Sequence, residues 1–293
     1  MRKGSVIALL FCFGWWGARA QDPLVEGLRA YQAGDLERAR VLVDSAVSIP
    51  SHEEDAEAWL LRGFVYKDLY KQRSPDSDPD TLRSRALRSL DRCRALDTER
   101  TFAQNAEQAY QFVARSFYND AAKALQDGRE DHAIDQFDRF REAMAGLPEE
   151  GDLDQREVDF LNALGTAYTR RYNEDRLDTV VFDKAVSAYE RVLQKDTGNY
   201  GANYNLATLY YNHGVYNIQQ LGVDNDLLSI ELIQQVSKEL FKRALPYMLK
   251  AHQMRPDRKE TLLGLEGIYY SLQDDERSEE FRTKFEALPP DNE

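Results

Sequence analysis

The chain has 293 residues, 42% apolar and 30% charged, with 51 Asp and Glu against 38 Lys and Arg and a net charge of −13. That balance argues against nucleic-acid binding through counterion release and against a basic helix lying on a membrane surface. The apolar share is large enough for a packed core, so disorder over most of the length is excluded.

Met1-Arg2-Lys3 opens the chain with positive charge, Val6 to Trp16 form an apolar run, and Ala18-Arg19-Ala20 supplies a small-x-small site before Gln21. This three-part pattern predicts a secretory signal peptide over 1–20 and a mature chain over 21–293. The run is shorter than the ~20 residues of a spanning helix, and bulky Phe11 before Cys12 argues against a lipid anchor there. No membrane insertion is expected after cleavage. Loss of Cys12 leaves Cys93 alone, so no disulfide within the chain is expected and stability has to come from packing. No Asn-x-Ser/Thr sequon occurs, which favours export to the periplasm or envelope of a two-membrane bacterium over a eukaryotic secretory route.

Beyond the signal a helical spacing recurs. Trp59…Gly63…Tyr66 is followed by Ala86…Leu90…Cys93, and Leu161…Leu164-Gly165…Tyr168 by Ala185…Tyr189…Val192. Leu206-Ala207…Tyr210…Gly214 is followed in turn by Ala244…Met248…Ala251…Pro256. Residues at i, i+3, i+4 and i+7 share one helix face. A small residue in the first helix of each pair (Gly27, Gly63, Ala121, Gly165, Ala207, Gly267) is expected to let its two helices approach. Trp59, Tyr66, Tyr168 and Tyr210 are expected to fill the gap to the next pair. Early in each second helix stands Ala39, Ala86, Ala133, Ala185 or Ala244, with Ser278 sixth, at intervals of 47, 47, 52, 59 and 34 residues.

These residues resemble the tetratricopeptide repeat, a helix–turn–helix of about 34 residues, with most units here enlarged by insertions. The resemblance implies an all-α fold, an α-solenoid of about six units near 23–50, 56–98, 102–146, 158–197, 200–256 and 260–288. The last is a cap in which Arg282 faces water while Phe281, Phe285 and Leu288 cover the preceding pair. Gln72 to Asp80, rich in Pro, Asp and Ser, reads as a solvated loop. Residues 215–240 stay patterned instead. Val215, Ile218 and Leu221 precede Gly222-Val223-Asp224-Asn225-Asp226, and Leu228, Leu232, Val236 and Leu240 follow it. This predicts an antiparallel spur whose apolar row is either closed between its own two helices or open to a partner.

Chemistry-bearing patterns are sparse. His52, His132, His213 and His252 are scattered, so no metal site and no cofactor is expected, and His52-Glu53-Glu54-Asp55 has Ala56 where a zinc-protease motif needs its second histidine. Asp76, Asp78 and Asp80 have calcium-like spacing, but Thr81 and Leu87 replace the glycine and glutamate of an EF-hand loop. Cys93 shares a small-residue packing position with Ala46 and Ala251 and reads as a buried, inert thiol. The chain therefore reads as non-enzymatic.

In the tetratricopeptide family the first helix of each pair lines a ligand groove. Carried over, this face comprises Leu60, Phe64 and Lys67, then Tyr118, then Asn162, Thr166 and Arg170, then Tyr204, Thr208, Tyr211 and Asn212. The pairs Leu60/Phe64, Asn162/Thr166 and Tyr204/Thr208 stand where some members hold a Lys/Asn carboxylate clamp, which argues against such a clamp. The face is aromatic and amide-rich, suited to a protein or peptide partner in a scaffold or adaptor role. Glycan binding by the same rings is the alternative.

Overall fold

The computed structural model describes residues 22–72, 78–145, 147, 153–222 and 226–289. The expected signal peptide, Asp76 and the Val223-Asp224-Asn225 stretch lie outside them. Among the described residues the regular structure is helical throughout, and the chain divides into two compact units, the first ending at Val113 and the second beginning at Ala114. No helix among them is long and apolar enough to cross a membrane.

The first unit contains α1 (Pro23–Gln32), α2 (Leu36–Ala46), α3 (Ala56–Gln72), α4 (Pro79–Leu96) and the opening turns of α5 (Ala103–Gln126). Aspartates start several of these helices. The Asp22 carboxylate accepts from the Leu24 N–H with Pro23 in the first turn, and the Asp35 carboxylate accepts from the Arg38 N–H. The Asp78 carboxylate accepts from the Asp80 and Thr81 N–H groups, again with a proline beginning the helix. Each satisfies donors that the first turn leaves without an intrahelical partner. Gly34, at φ +78°, makes the turn between α1 and α2, a conformation that costs glycine little. α1 pairs with α2 and α3 with α4. The α3–α4 approach depends on a missing methyl, because a Cβ on Gly63 would lie 2.6 Å from Leu90 Cδ2.

The second unit holds the rest of α5 with α6 (Glu130–Ala145), α7 (Leu153–Glu174), α8 (Thr179–Lys195), α9 (Tyr200–Gln219), α10 (Leu227–Met254), α11 (Lys259–Ser271) and α12 (Asp275–Glu286). Pairs form between α7 and α8, α9 and α10, and α11 and α12. First helices also touch, α7 with α9 and α9 with α11, the stacking of an α-solenoid. The marker alanines Ala39, Ala86, Ala133, Ala185 and Ala244 are all at 0% exposure, which is why no larger side chain stands there. At the end of the chain Phe281 is buried and stacks on Tyr269 at 5.6 Å between ring centres, while exposed Arg282 pairs with Glu279.

Two packing expectations change, and the α10 row takes the open one of its two expected arrangements. The tyrosines reach back rather than forward: the Tyr66 hydroxyl donates to Asp44 on α2, and the Tyr210 ring meets Phe182 on α8. Gly267 makes room between pairs rather than within one, since its absent Cβ would lie 2.6 Å from the Tyr211 hydroxyl of α9. In α10, Leu228, Leu232 and Val236 are 76%, 60% and 45% exposed, so α9 does not close over them. The inward line runs instead through Ile233, Ser237, Leu240 and Ala244. Steps of four overshoot a turn by about 40° each, so a row that is apolar at Leu240 has rotated into water three steps earlier.

Candidate interaction surface

The first-helix face forms a recess in each unit. In the first unit α3 and α5 enclose about 230 Å³ between Phe64, Lys67, Lys71, Asn105, Gln108 and Phe112. Phe112 is 44% exposed. Each ring carries an ammonium over its face, Lys67 Nζ at 4.9 Å from the Phe64 centre and Lys71 Nζ at 5.8 Å from that of Phe112, an arrangement favoured by the ring quadrupole. Both ammonium groups also lie 3.4 Å from Asp68 Oδ1, while the Tyr31 hydroxyl donates to Asp68 Oδ2 at 2.6 Å. Burial alone would raise the Asp68 carboxyl, but the Tyr31 hydroxyl and the two lysines outweigh it and hold it below the ordinary value. Both lysines are thereby fixed at the rim with an apolar floor beneath them.

In the second unit Thr166, Thr169 and Asn173 of α7, Tyr189 of α8, and Asn205, Thr208 and Asn212 of α9 surround about 100 Å³. Threonine hydroxyls here bond their own helix, Thr166 to the Asn162 carbonyl at 2.9 Å and Thr169 to that of Gly165 at 2.8 Å, which orients them. Tyr189 Oη lies 3.3 and 3.4 Å from the same hydroxyls, and burial raises its phenol above the ordinary value. The lining holds no charged side chain. It offers amide donors and acceptors, which complement an amide backbone.

The structure thus brings Phe64 and Lys67 together in one recess, and Thr166, Thr208 and Asn212 in the other. The remaining expected residues are placed differently. Leu60 is buried in the core. Tyr118 packs its ring on Phe137 and Phe140, and Tyr211 packs against Phe241 with its hydroxyl filling the space over Gly267. Tyr204 stacks on Tyr200 at 6.0 Å. Asn162 donates to the Asn199 side chain, and the Arg170 guanidinium donates to the Leu125 carbonyl at 3.1 Å. With these rings engaged by other rings, the structure does not favour the glycan alternative.

Asn105, Gln108 and Phe112 are not anticipated because the carried-over spacing places only Tyr118 of this helix on the face, although the unit is expected from about residue 102. The buried series Ala106, Ala109, Tyr110, Val113 and Phe117 carries that helix in the sequence. Thr169, Asn173 and Asn205 could have been found by extending the Thr166 and Thr208 rows by one helical turn.

Other candidate chemistry resolves into structure. Asp78 is the α4 N-cap and Asp80 pairs with Arg83. Cys93 is fully buried, and burial first, then the Asp97 and Asp55 carboxylates, pushes its thiol up to about 11, far from a reactive thiolate.

No protein-family model matches the chain, and no curated protein matches it by sequence. Among solved structures it is similar to a human IFIT1 dimer with m7Gppp-AAAA, at 14% identity over 92% of this chain and 50% of that one, with a TM-score of 0.39. It thus spans half the length of that protein. It is also similar to Pseudomonas aeruginosa pilF, at 15% identity over 92% and 91% of the two chains with a TM-score of 0.37. PilW, a type IV pilus biogenesis factor, aligns at 15% identity over 92% and 94%, also with a TM-score of 0.37.

Proposed function

We propose that this chain is a non-enzymatic scaffold or adaptor, exported to the envelope of a two-membrane bacterium, that holds a segment of a protein partner on the first-helix faces of its hairpins. The observation that carries the reading is the recess between α3 and α5. Phe112 is exposed there and Phe64 half-buried, each with a lysine over its ring that Asp68 holds in place. Rings exposed in a pre-shaped hollow act as anchors with little ordering cost on binding. The neutral hydroxyl and amide lining between α7 and α9 complements this with groups suited to peptide backbone. The acidic excess of the chain favours neutral or basic partners and speeds encounter with them.

The test is affinity capture from envelope extract with the parent protein and with Phe112→Ser. Because Phe112 is exposed, its loss is expected to leave the melting curve within about 1 °C, as surface substitutions do, while the specific captured protein falls about tenfold or more. Equal capture by parent and variant removes the α3–α5 recess from the account. Amino-terminal sequencing of the periplasmic protein, expected to begin at Gln21, tests export.

A further inference from the structure

A second hollow in the first unit lies away from the first-helix face and is basic. Arg85, Arg88 and Arg92 follow one another at three- and four-residue steps along α4, so they share a side of the helix. With Arg62 and Trp59 of α3 and Asp44 of α2 they line about 920 Å³. The inner part of this hollow is already satisfied. Arg62 donates to Asp44 Oδ1 and to the Ser89 hydroxyl, both at 2.7 Å, and Arg85 donates at 2.8 Å to the Tyr66 hydroxyl. That hydroxyl in turn donates to Asp44 Oδ2 at 2.7 Å. A single carboxylate therefore answers two guanidinium groups.

The outer part is not satisfied in this way. Arg88 reaches only its own helix, at the Ser84 carbonyl, 3.3 Å away, and among the described residues Arg92 has no carboxylate partner; both are exposed. Arg40, Arg139, Arg141 and Arg282 by contrast each pair with an acid one turn away, whereas Arg88 and Arg92 share a hollow with two further guanidinium groups and a lining whose one carboxylate is that of Asp44. In a chain with a net charge of −13, a lining of four arginines against one aspartate is a local reversal of sign.

We propose that this hollow is a second binding site, for an acidic and extended peptide segment of a partner, with Arg88 and Arg92 each taking one carboxylate. Four residues along a helix advance about 6 Å, and two residues along an extended chain advance about 6.6 Å. Acids at alternate positions of an extended segment thus fall in register with the two guanidinium groups, each of which presents a fork matched to a carboxylate. A short acidic segment fits where a long polyanion does not: Asp44 sits within the hollow, and the acidic excess of the chain repels any ligand that runs on beyond it. The site shares no residue with the α3–α5 recess, so the two readings stand or fall separately.

The test is fluorescence anisotropy on the full chain at about 50 mM salt, where exposed charges are weakly screened. The probes are a labelled peptide with Glu at alternate positions, its Gln counterpart and a single-stranded oligonucleotide. The expected result is saturable binding of the Glu peptide alone, weakened about tenfold or more by Arg88→Ala with Arg92→Ala and abolished by Arg88→Glu with Arg92→Glu. Trp59 lines the hollow and is the one tryptophan beyond residue 20, so its emission should change on adding the Glu peptide to the parent and not to the charge-reversed variant. Unchanged affinity in the double alanine variant, equal binding of the Gln peptide, or tighter binding of the oligonucleotide would each overturn the proposal. Circular dichroism melts matching the parent establish that these variants are folded.

Discussion

Replacing Gly165 by alanine sets two opposed effects against each other at a place where the structure says which is larger. In an isolated helix the change is favourable by about 1 kcal/mol, because alanine loses less backbone freedom. In α7 the new methyl would lie 2.7, 2.8 and 2.9 Å from three atoms of the Tyr189 ring. That ring is 1% exposed and has nowhere to retreat, and a rigid ring cannot bend away as the end of a leucine does. Overpacking of this kind costs about 1–3 kcal/mol. Moving Tyr189 also pulls its hydroxyl from Thr166 and Thr169, a further ~0.5–1.5 kcal/mol. The net expectation is a loss of about 1–3 kcal/mol, or roughly 2–4 °C of melting temperature per kcal/mol for a protein of this size. Urea unfolding followed by far-ultraviolet dichroism measures it. Gly201→Ala is the control, since its methyl would meet nothing closer than 3.5 Å, and it should be neutral or mildly stabilising. Adding Tyr189→Leu to Gly165→Ala should recover part of the loss. A Gly165→Ala protein at least as stable as its parent would show that the missing methyl does not set the α7–α8 approach.

Two further outcomes follow from buried groups. In a Cys12→Ser background, Cys93 should react with iodoacetamide at pH 8 about a hundredfold more slowly when folded than in urea, given its burial and raised thiol; labelling of the folded protein at the free-thiol rate would contradict the packing described. His213 is held below the ordinary imidazole value of 6.5, by burial first and then by Arg176. The unfolded chain therefore takes up a proton that the folded one refuses, so the stability due to His213 is complete above about pH 6.5 and declines as pH falls through it. His213→Gln should flatten the stability profile just below that pH, and an unaltered slope there would remove the effect.

Much of the architecture is legible in the sequence because its constraints are local and severe. An alanine at full burial admits no substitute of larger volume, so the recurrence of Ala39, Ala86, Ala133, Ala185 and Ala244 is visible even across uneven insertions. The start of α4 is less so, because the stretch from Gln72 to Asp80 reads as loop whereas Asp78 caps a helix that begins at Pro79. What is not legible is direction. Tyr66 and Tyr210 have the spacing of packing residues, but spacing does not say whether they lean on the pair before or the pair after. Tyr118 and Tyr211 lie on the first-helix face, yet other rings claim them. The apolar row of α10 does not say which of its two arrangements holds, because four-residue steps drift around the helix and leave Leu228, Leu232 and Val236 exposed with Leu240 buried. The basic hollow was hidden because it draws on three helices, and a net charge averages it away.

The aspartates that begin the helices give the acidic excess a second meaning. Asp22, Asp35, Asp78, Asp178, Asp226 and Asp274 each accept from amides of the turn they start, and backbone bonding holds Asp22 and Asp226 below the ordinary carboxyl value. Part of the negative charge is thus spent on stoppers rather than on solubility. Acid that protonates Asp22 and Asp226 would loosen α1 and α10 from their leading ends, at a pH where the greasy contacts around them are untouched.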